Sequence, residues 1–210
     1  MLNCILWDND GTLIDTASLF HDANRDALLS KNILMDETLF TKISQKQGKS
    51  IIEYYAEKNE LSPNEQQELL SIRQSIYLKM LKDRMNYNQE AFDFIKNSKL
   101  NGMKNFMVTG STRKELILEY SQRSNLLSLF DGIITAEDYI HPKPYPDCFL
   151  CVLDKWNISC SEAIVIDDLP RGITAAHRAG LRALRYTPFV ARSRYRNFSN
   201  LIDLIREYSK

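Results

Sequence analysis

The chain has 210 residues, and 27 Lys and Arg balance 27 Asp and Glu. That length holds one sizeable core, or a core with a small second domain, and the charge balance leaves no basic surplus to neutralise a phosphate backbone, so nucleic acid is not expected as a partner. The apolar runs fall well short of the roughly 18 residues a membrane helix needs, and the first residues lack the basic start and small-residue cleavage site of a signal peptide. A soluble cytoplasmic protein with no membrane partner is therefore expected.

The first predicted strand, residues 3–7, is apolar up to Trp7 and then stops abruptly in Asp8-Asn9-Asp10-Gly11-Thr12, which sets two carboxylates two positions apart at a strand end. Residues 16–84 carry no strand-like run. Apolar positions there recur at helical spacing, as Leu19, Phe20, Ala23 and Ala27 and again as Leu69, Ile72, Ile76 and Met80. Ser62-Pro63-Asn64-Glu65 supplies an N-cap, a proline at the first helical position and a glutamate three after the cap, which together form a capping box.

Beyond this helical stretch, strands and helices alternate. A helix over 89–98 precedes a strand over 105–108 that ends in Thr109-Gly110-Ser111, followed by a helix over 113–121. A strand over 132–135 leads towards Pro142-Lys143-Pro144, and a helix over 147–155 follows with Asp147 as its expected N-cap. A strand over 163–166 ends in Asp167-Asp168. The chain finishes with a helix over 174–179 closed by Gly180, a strand over 182–186 and a helix over 201–208. The strands are near-continuously apolar, as strands covered on both faces are, and their alternation with helices predicts an α/β fold with a doubly wound, Rossmann-like parallel sheet. Residues 1–15 and 85–210 would form that core, and 16–84 an inserted all-helical cap joined to it by two short connections.

Cys4, Cys148, Cys151 and Cys160 do not make a disulfide framework in a chain of this length. The C-x-x-C of Cys148 and Cys151 has no second pair and no histidine at a zinc-ligand spacing, so helical core thiols are expected there.

In an open parallel sheet, ligands bind beyond the carboxyl ends of the strands. Four predicted strands lead to polar chemistry at that edge: Asp8 and Asp10, then Thr109 to Ser111, then Lys143, then Asp167 and Asp168. Carboxylates gathered this closely repel one another unless a hard cation sits among them, and oxygen ligands suit Mg²⁺. A lysine, a hydroxyl and the backbone N–H groups of a Thr-Gly-Ser turn opening a helix make a phosphate cradle, so the edge reads as a phosphoryl-transfer site. Two rival readings fail. A calcium loop built on Asp8-x-Asp10-Gly11 would need a glutamate where Ala17 stands, and Gly48-Lys49-Ser50 as a Walker loop would need a glycine where Ile43 stands.

Asp8 to Thr16, Val108-Thr109-Gly110-Ser111, Lys143-Pro144-Tyr145-Pro146-Asp147 and Val165 to Ala176 together resemble the four ordered motifs of the haloacid dehalogenase superfamily. The resemblance spans essentially the whole chain, and the helical insertion after the first strand matches the branch of phosphoglycolate-phosphatase-like and β-phosphoglucomutase-like enzymes. It implies a Mg²⁺-dependent phosphatase acting on a small phosphorylated metabolite through an aspartyl-phosphate. Asp8 would be the nucleophile and Asp10 the acid and base. Thr109 and Lys143 would hold the transferring phosphoryl group, with Gly11, Gly110 and Ser111 shaping the phosphate turn. The resemblance assigns the metal to Asp8, Asp10 through its carbonyl, Asp167 and Asp168. It sets the candidate specificity loop at 45–50, with Gly48 and Lys49, and with Lys46 or Ser50 as further contacts.

Asp10 argues against the dehalogenases and phosphonoacetaldehyde hydrolases of the superfamily, which lack an acid there. A phosphomutase remains an alternative, made less fitting by Phe20 where related mutases carry a cap histidine, with His21 next. A non-catalytic phosphometabolite binder is a third reading. The expected state is a monomer or weak homodimer. Asn9, polar where the branch is usually apolar, has no role legible at this level.

Overall fold

The computed structural model of the chain describes residues 2–46, 49–190, 193–195 and 197–208. In chain order the elements are β1 (Cys4–Trp7), α1 (Thr16–Leu29), α2 (Glu37–Phe40), a π-helical turn (Thr41–Lys46), α3 (Ile51–Lys58), α4 (Pro63–Asp83), α5 (Gln89–Leu100), β2 (Lys104–Val108), α6 (Arg113–Glu119), β3 (Gly132–Ile134), α7 (Asp147–Trp156), β4 (Ala163–Asp167), α8 (Pro170–Arg178), β5 (Arg182–Arg185) and α9 (Phe198–Tyr208). The chain divides into two compact units, one of residues 1–15 and 85–210 and one of residues 16–84.

The first unit is built on a five-stranded sheet in the order β3-β2-β1-β4-β5, with every pairing parallel. The doubly wound α/β fold expected from the alternation is therefore present. β1 is central and fully buried, flanked by β2 and β4. A core of Cys4, Leu6, Phe106, Val108, Phe149, Val152, Val165 and Ala176, among others, packs one face of the sheet against α7 and α8. The backbone N–H of Asp15 donates to the Asn86 carbonyl at 2.9 Å and that of Asn88 to Leu13 at 2.8 Å, so the segments by which the chain leaves and re-enters this unit are paired side by side.

The second unit is all helical. Ala27, Leu28, Phe40, Ile51, Ile52, Tyr55 and Leu69 form its core. The α4 capping box is complete: Glu65 accepts from the Ser62 backbone N–H at 2.9 Å, and Ser62 Oγ accepts from the Glu65 N–H at 3.4 Å.

Three helix starts differ from expectation for local reasons. Pro146 occupies the cap position of α7, and the Asp147 carboxylate instead accepts from the His141 backbone N–H at 3.1 Å and pairs with the His141 ring at 2.7 Å. α8 begins four residues early because Pro170 sits at its first position, where a missing N–H does no harm. α9 likewise starts at Phe198, whose ring packs edge-on to Phe94. The cysteines are free thiols, with Cys4 and Cys148 buried in the core; burial pushes the Cys4 thiol up to about 12 and the Cys148 thiol up to about 11. Among the described residues no helix is long and apolar enough to cross a membrane.

Candidate active site

Sheet register brings the acids together. Trp7 lies opposite Met107 on one side and Ile166 on the other, so one residue further Asp8 stands level with Val108 and Asp167. Its backbone N–H donates to the Ile166 carbonyl at 2.8 Å, which carries the sheet pairing up to Asp8 itself. Beyond Asp8 the chain folds into a tight turn. The Asn9 carbonyl accepts from the N–H groups of Thr12, Leu13 and Ile14, while Gly11 adopts φ +85°, a conformation that favours glycine. A Cβ on Gly11 would lie 2.3 Å from Asp168 Oδ2, so the glycine also makes room for that carboxylate.

Lys143 binds the cluster electrostatically. Its Nζ donates to Asp8 Oδ1 at 2.5 Å, Asp167 Oδ2 at 2.9 Å and the Val108 carbonyl at 3.2 Å. Burial opposes its charge, but the carboxylates of Asp8 and Asp167 outweigh that and raise its pKa. Asp8, Asp167 and Asp168 are all buried, and one oxygen from each falls within 4.8 Å of the others. Asp8 is held well above the usual carboxylate range by burial first and by Asp167 second; the same two causes push Asp168 up to about 7. Among the described residues, one lysine faces these three buried carboxylates, which leaves the cluster short of positive charge, and Asp168 Oδ1 is buried and accepts no hydrogen bond. Both features fit a site for a divalent cation with oxygen ligands.

The Asp10 carboxylate bonds at the end of β2. Its Oδ2 accepts from Thr109 Oγ1 at 2.8 Å and from Ser111 Oγ at 3.2 Å, and the Ser111 backbone N–H donates to Thr109 Oγ1 at 2.9 Å. The two neighbouring acids thus occupy distinct environments, one among metal-type carboxylates and a lysine, the other among hydroxyls. Gly110 has open space beside it, its nearest would-be contact being the Tyr139 hydroxyl at 4.0 Å. Arg113 pairs with Asp138 at 2.5 Å and belongs to the face of α6. Of the specificity-loop candidates, Gly48 lies outside the described residues, Lys49 is exposed, and Ser50 caps α3 by accepting from the Glu53 N–H at 3.2 Å. His21 engages Asp22 through Nδ1 and Glu37 through Nε2.

Several structural partners of the site were not legible in the motifs. Glu119, Tyr120 and Asn9 form a buried polar knot behind Asp10. Gly172 lies against Asp167, where an added Cβ would come within 1.8 Å of Oδ2. The signal for Glu119 was its position: at helical spacing it lines up with buried Leu116, a place where the pattern calls for an apolar residue.

The raised carboxyls set a pH dependence. A carboxyl whose folded pKa exceeds its ordinary value binds its proton more tightly when folded, so stability is fully present below the ordinary value, 3.8 for Asp168, and is lost as pH rises through about 7. Metal-free protein in EDTA is therefore expected to melt progressively lower between about pH 5 and 8, and a divalent cation, which needs the ionised ligands, to restore most of that loss at the upper end. Thermal melts across this range with and without the ion check it; a melting temperature that climbs with pH in EDTA would contradict the assignment.

A model of the family described as haloacid dehalogenase-like hydrolase matches residues 5–185. The phosphorylated carbohydrates phosphatase of Thermotoga maritima is 25% identical over 186 residues, covering 87% of this chain and 84% of that protein. The pyrophosphatase PpaX of Bacillus cereus is 25% identical over 195 residues, covering 86% and 81%. The crystal structure of CbbY from Rhodobacter sphaeroides in complex with phosphate superposes with a TM-score of 0.71 at 18% identity, over 93% of this chain and 91% of that one. With strand order, motif order and family match in agreement, the chain belongs to the haloacid dehalogenase-like hydrolase family and is an enzyme of its phosphatase kind.

Proposed function

We propose that the protein is a Mg²⁺-dependent phosphatase that hydrolyses a small phosphorylated metabolite through an aspartyl-phosphate on Asp8. The observation that carries this reading is the convergence of Asp8, Lys143, Asp167 and Asp168 at the carboxyl edge of the sheet, with Asp10 held apart among hydroxyls.

Asp8 attacks the phosphorus in line, and Lys143 offsets the charge between the carboxylate and the incoming phosphoryl oxygens. Asp10 protonates the leaving oxygen, then takes a proton from the water that hydrolyses the intermediate. Thr109 orients Asp10 through its hydroxyl. Gly11, Gly110 and Ser111 shape the turns that face the phosphate. The carboxylates of Asp8 and Asp168, the Asp10 carbonyl and Asp167 would hold Mg²⁺, which when bound supplies charge neutralisation for the transferring group. Residues 16–84 act as a cap that selects the leaving group, with the 45–50 loop, Gly48 and Lys49 included, as its reader. The protein works in the cytoplasm as a monomer or weak homodimer. The name of the Thermotoga maritima relative makes phosphorylated carbohydrates the first class to test.

The test is a screen with Mg²⁺ against sugar phosphates, phosphoglycolate, pyrophosphate, nucleotides and p-nitrophenyl phosphate. The expected result is release of inorganic phosphate from at least one small phosphate ester. Isomerisation of a sugar phosphate with little phosphate released would establish a mutase instead, and affinity without turnover a binder; either overturns the proposal. The engagement of both His21 ring nitrogens by Asp22 and Glu37 favours hydrolysis over the mutase.

A further inference from the structure

Glu119 is a charged residue in a place built for an apolar one. It is 1% exposed, on the last turn of α6, and the rings of Tyr87, Phe92 and Tyr120 pack edge-on against one another nearby. Its Oε2 accepts from Asn9 Nδ2 at 2.8 Å, its Oε1 meets Ser111 Oγ at 2.9 Å, and its backbone carbonyl accepts from the Tyr87 hydroxyl at 2.5 Å. The Tyr120 hydroxyl in turn donates to Asn9 Oδ1 at 2.8 Å, so the Asn9 side chain is engaged on both of its polar atoms. A carboxyl buried this deeply is expensive unless it does something the fold or the reaction requires.

Ser111 has one hydroxyl hydrogen but faces two carboxyl oxygens, Asp10 Oδ2 at 3.2 Å and Glu119 Oε1 at 2.9 Å. Both contacts close only when one of these carboxyls is itself a donor. Asp10 Oδ2 already accepts from Thr109 Oγ1 at 2.8 Å, and Thr109 Oγ1 accepts from the Ser111 N–H, so its hydroxyl hydrogen points to Asp10. Glu119 Oε2 accepts from Asn9, which leaves Oε1 as the atom that carries the proton. The arrangement that closes both contacts runs from Glu119 Oε1–H to Ser111 Oγ, and from Ser111 Oγ–H to Asp10 Oδ2.

We propose that Glu119 is a positioning residue for the reaction: through Ser111 it fixes the orientation of the Asp10 carboxyl, and through Asn9 it anchors the turn that carries both acids. Two hydroxyls then hold Asp10 Oδ2 in place. Burial, with the Asp10 charge second, pushes Glu119 up to about 8 from an ordinary 4.5, in keeping with the donor the hydrogen-bond count requires. This also gives Asn9 a role: an apolar residue there would leave Glu119 Oε2 and the Tyr120 hydroxyl without their bonds.

The inference rests on the phosphatase reading for its kinetic arm alone. Glu119→Leu, Glu119→Gln and Ser111→Ala are compared with the wild type by crystal structure and by kcat and KM. A glutamine can place its Nε2 against Ser111 and its carbonyl oxygen against Asn9, reproducing the neutral acid. In Glu119→Leu the Asp10 carboxyl is expected to turn away from Ser111 and Thr109, with kcat falling about 100-fold and KM little changed, since a misplaced group rather than lost binding is at fault. Glu119→Gln is expected to restore the Asp10 position and most of the lost kcat. If Glu119→Leu does not fold, Ser111→Ala removes the relay hydroxyl while keeping the buried acid, and a loss of kcat with a displaced Asp10 is expected again. An Asp10 carboxyl that stays in place in the Leu and Ala variants, or equal losses in Glu119→Leu and Glu119→Gln, would overturn the proposal. A wild type that turns over no phosphate ester would sink the phosphatase reading instead, and the crystallographic position of Asp10 would still decide this one.

Discussion

Asp8→Asn is expected to lose at least about four orders of magnitude in turnover and yet to melt at a higher temperature than the wild type in EDTA. The first half follows from covalent catalysis: an amide cannot attack phosphorus, and removing the nucleophile of a covalent mechanism removes its central step. The second half follows from the cluster. Asp8 is buried beside Asp167 and Asp168, and its pKa is raised well above the ordinary value even with Lys143 attached at 2.5 Å. The attraction of the lysine is therefore already included, and burial and like charge outweigh it. An isosteric amide keeps a hydrogen-bond acceptor for Lys143 and removes the charge whose desolvation the fold opposes. Lys143 retains Asp167 as its ion pair at 2.9 Å.

Added Mg²⁺ should reverse the order. The wild type should gain stability from ion binding to its ionised carboxylates, while the amide offers a weaker ligand and should gain less. Phosphate release on the best substrate and thermal melts with EDTA or Mg²⁺ supply the two readings. A variant that turns over like the wild type would exclude Asp8 as nucleophile; one that melts lower in EDTA would mean that the buried carboxylate is stabilised by more than Lys143.

Much of this was visible in the sequence because the chemistry sits where local patterns end. Apolar runs stop at Trp7, Val108 and Ile166, and the residues immediately after each stop are the polar ones that the parallel register then aligns. The helical texture of 16–84 was legible for a related reason: its apolar positions repeat at one spacing, and Ser62 and Glu65 mark a start by their own chemistry. What was not legible depends on partners far away in the chain. Asn9 is explained by Glu119 and Tyr120, over a hundred residues later, and Glu119 in turn by Ser111 and Asp10. Local rules also misjudged Asp147. It looks like an N-cap, but Pro146 takes that position, and the carboxylate finds the His141 backbone and ring instead. A glycine's need for space is invisible until the neighbour is known, as at Gly172.

Gly172→Ala tests how tightly helix α8 has to approach the acids. On propensity alone the change should help, since alanine is favoured over glycine in a helix by about 1 kcal/mol. Gly172 is in the first turn of α8, and its N–H donates to the Leu169 carbonyl at 3.0 Å. An added Cβ would come within 1.8 Å of Asp167 Oδ2 and 2.1 Å of its Cγ, so something must shift. The carboxylate cannot swing aside without loss, because Oδ1 accepts from the Leu169 N–H at 2.9 Å and Oδ2 from Lys143 at 2.9 Å. Either α8 backs away from β4 or Asp167 leaves Lys143. Overpacking of this kind costs about 1–3 kcal/mol, enough to outweigh the propensity gain. A displacement of about 1 Å at Asp167 carries Lys143 and the metal-type oxygens with it, for which a fall of about 100-fold in turnover is expected.

Gly102→Ala is the matching control. Gly102 adopts φ +82° with nothing within 4 Å of a would-be Cβ, so alanine there meets backbone strain without a clash and should cost about 1–2 kcal/mol with turnover unchanged. Urea unfolding and kcat on the same substrate separate the two glycines: stability lost at both positions, activity lost at 172 alone. A Gly172→Ala enzyme that is more stable than the wild type and fully active would show that α8 has slack against the acidic pair, and that the closeness of Gly172 to Asp167 places no demand on the site.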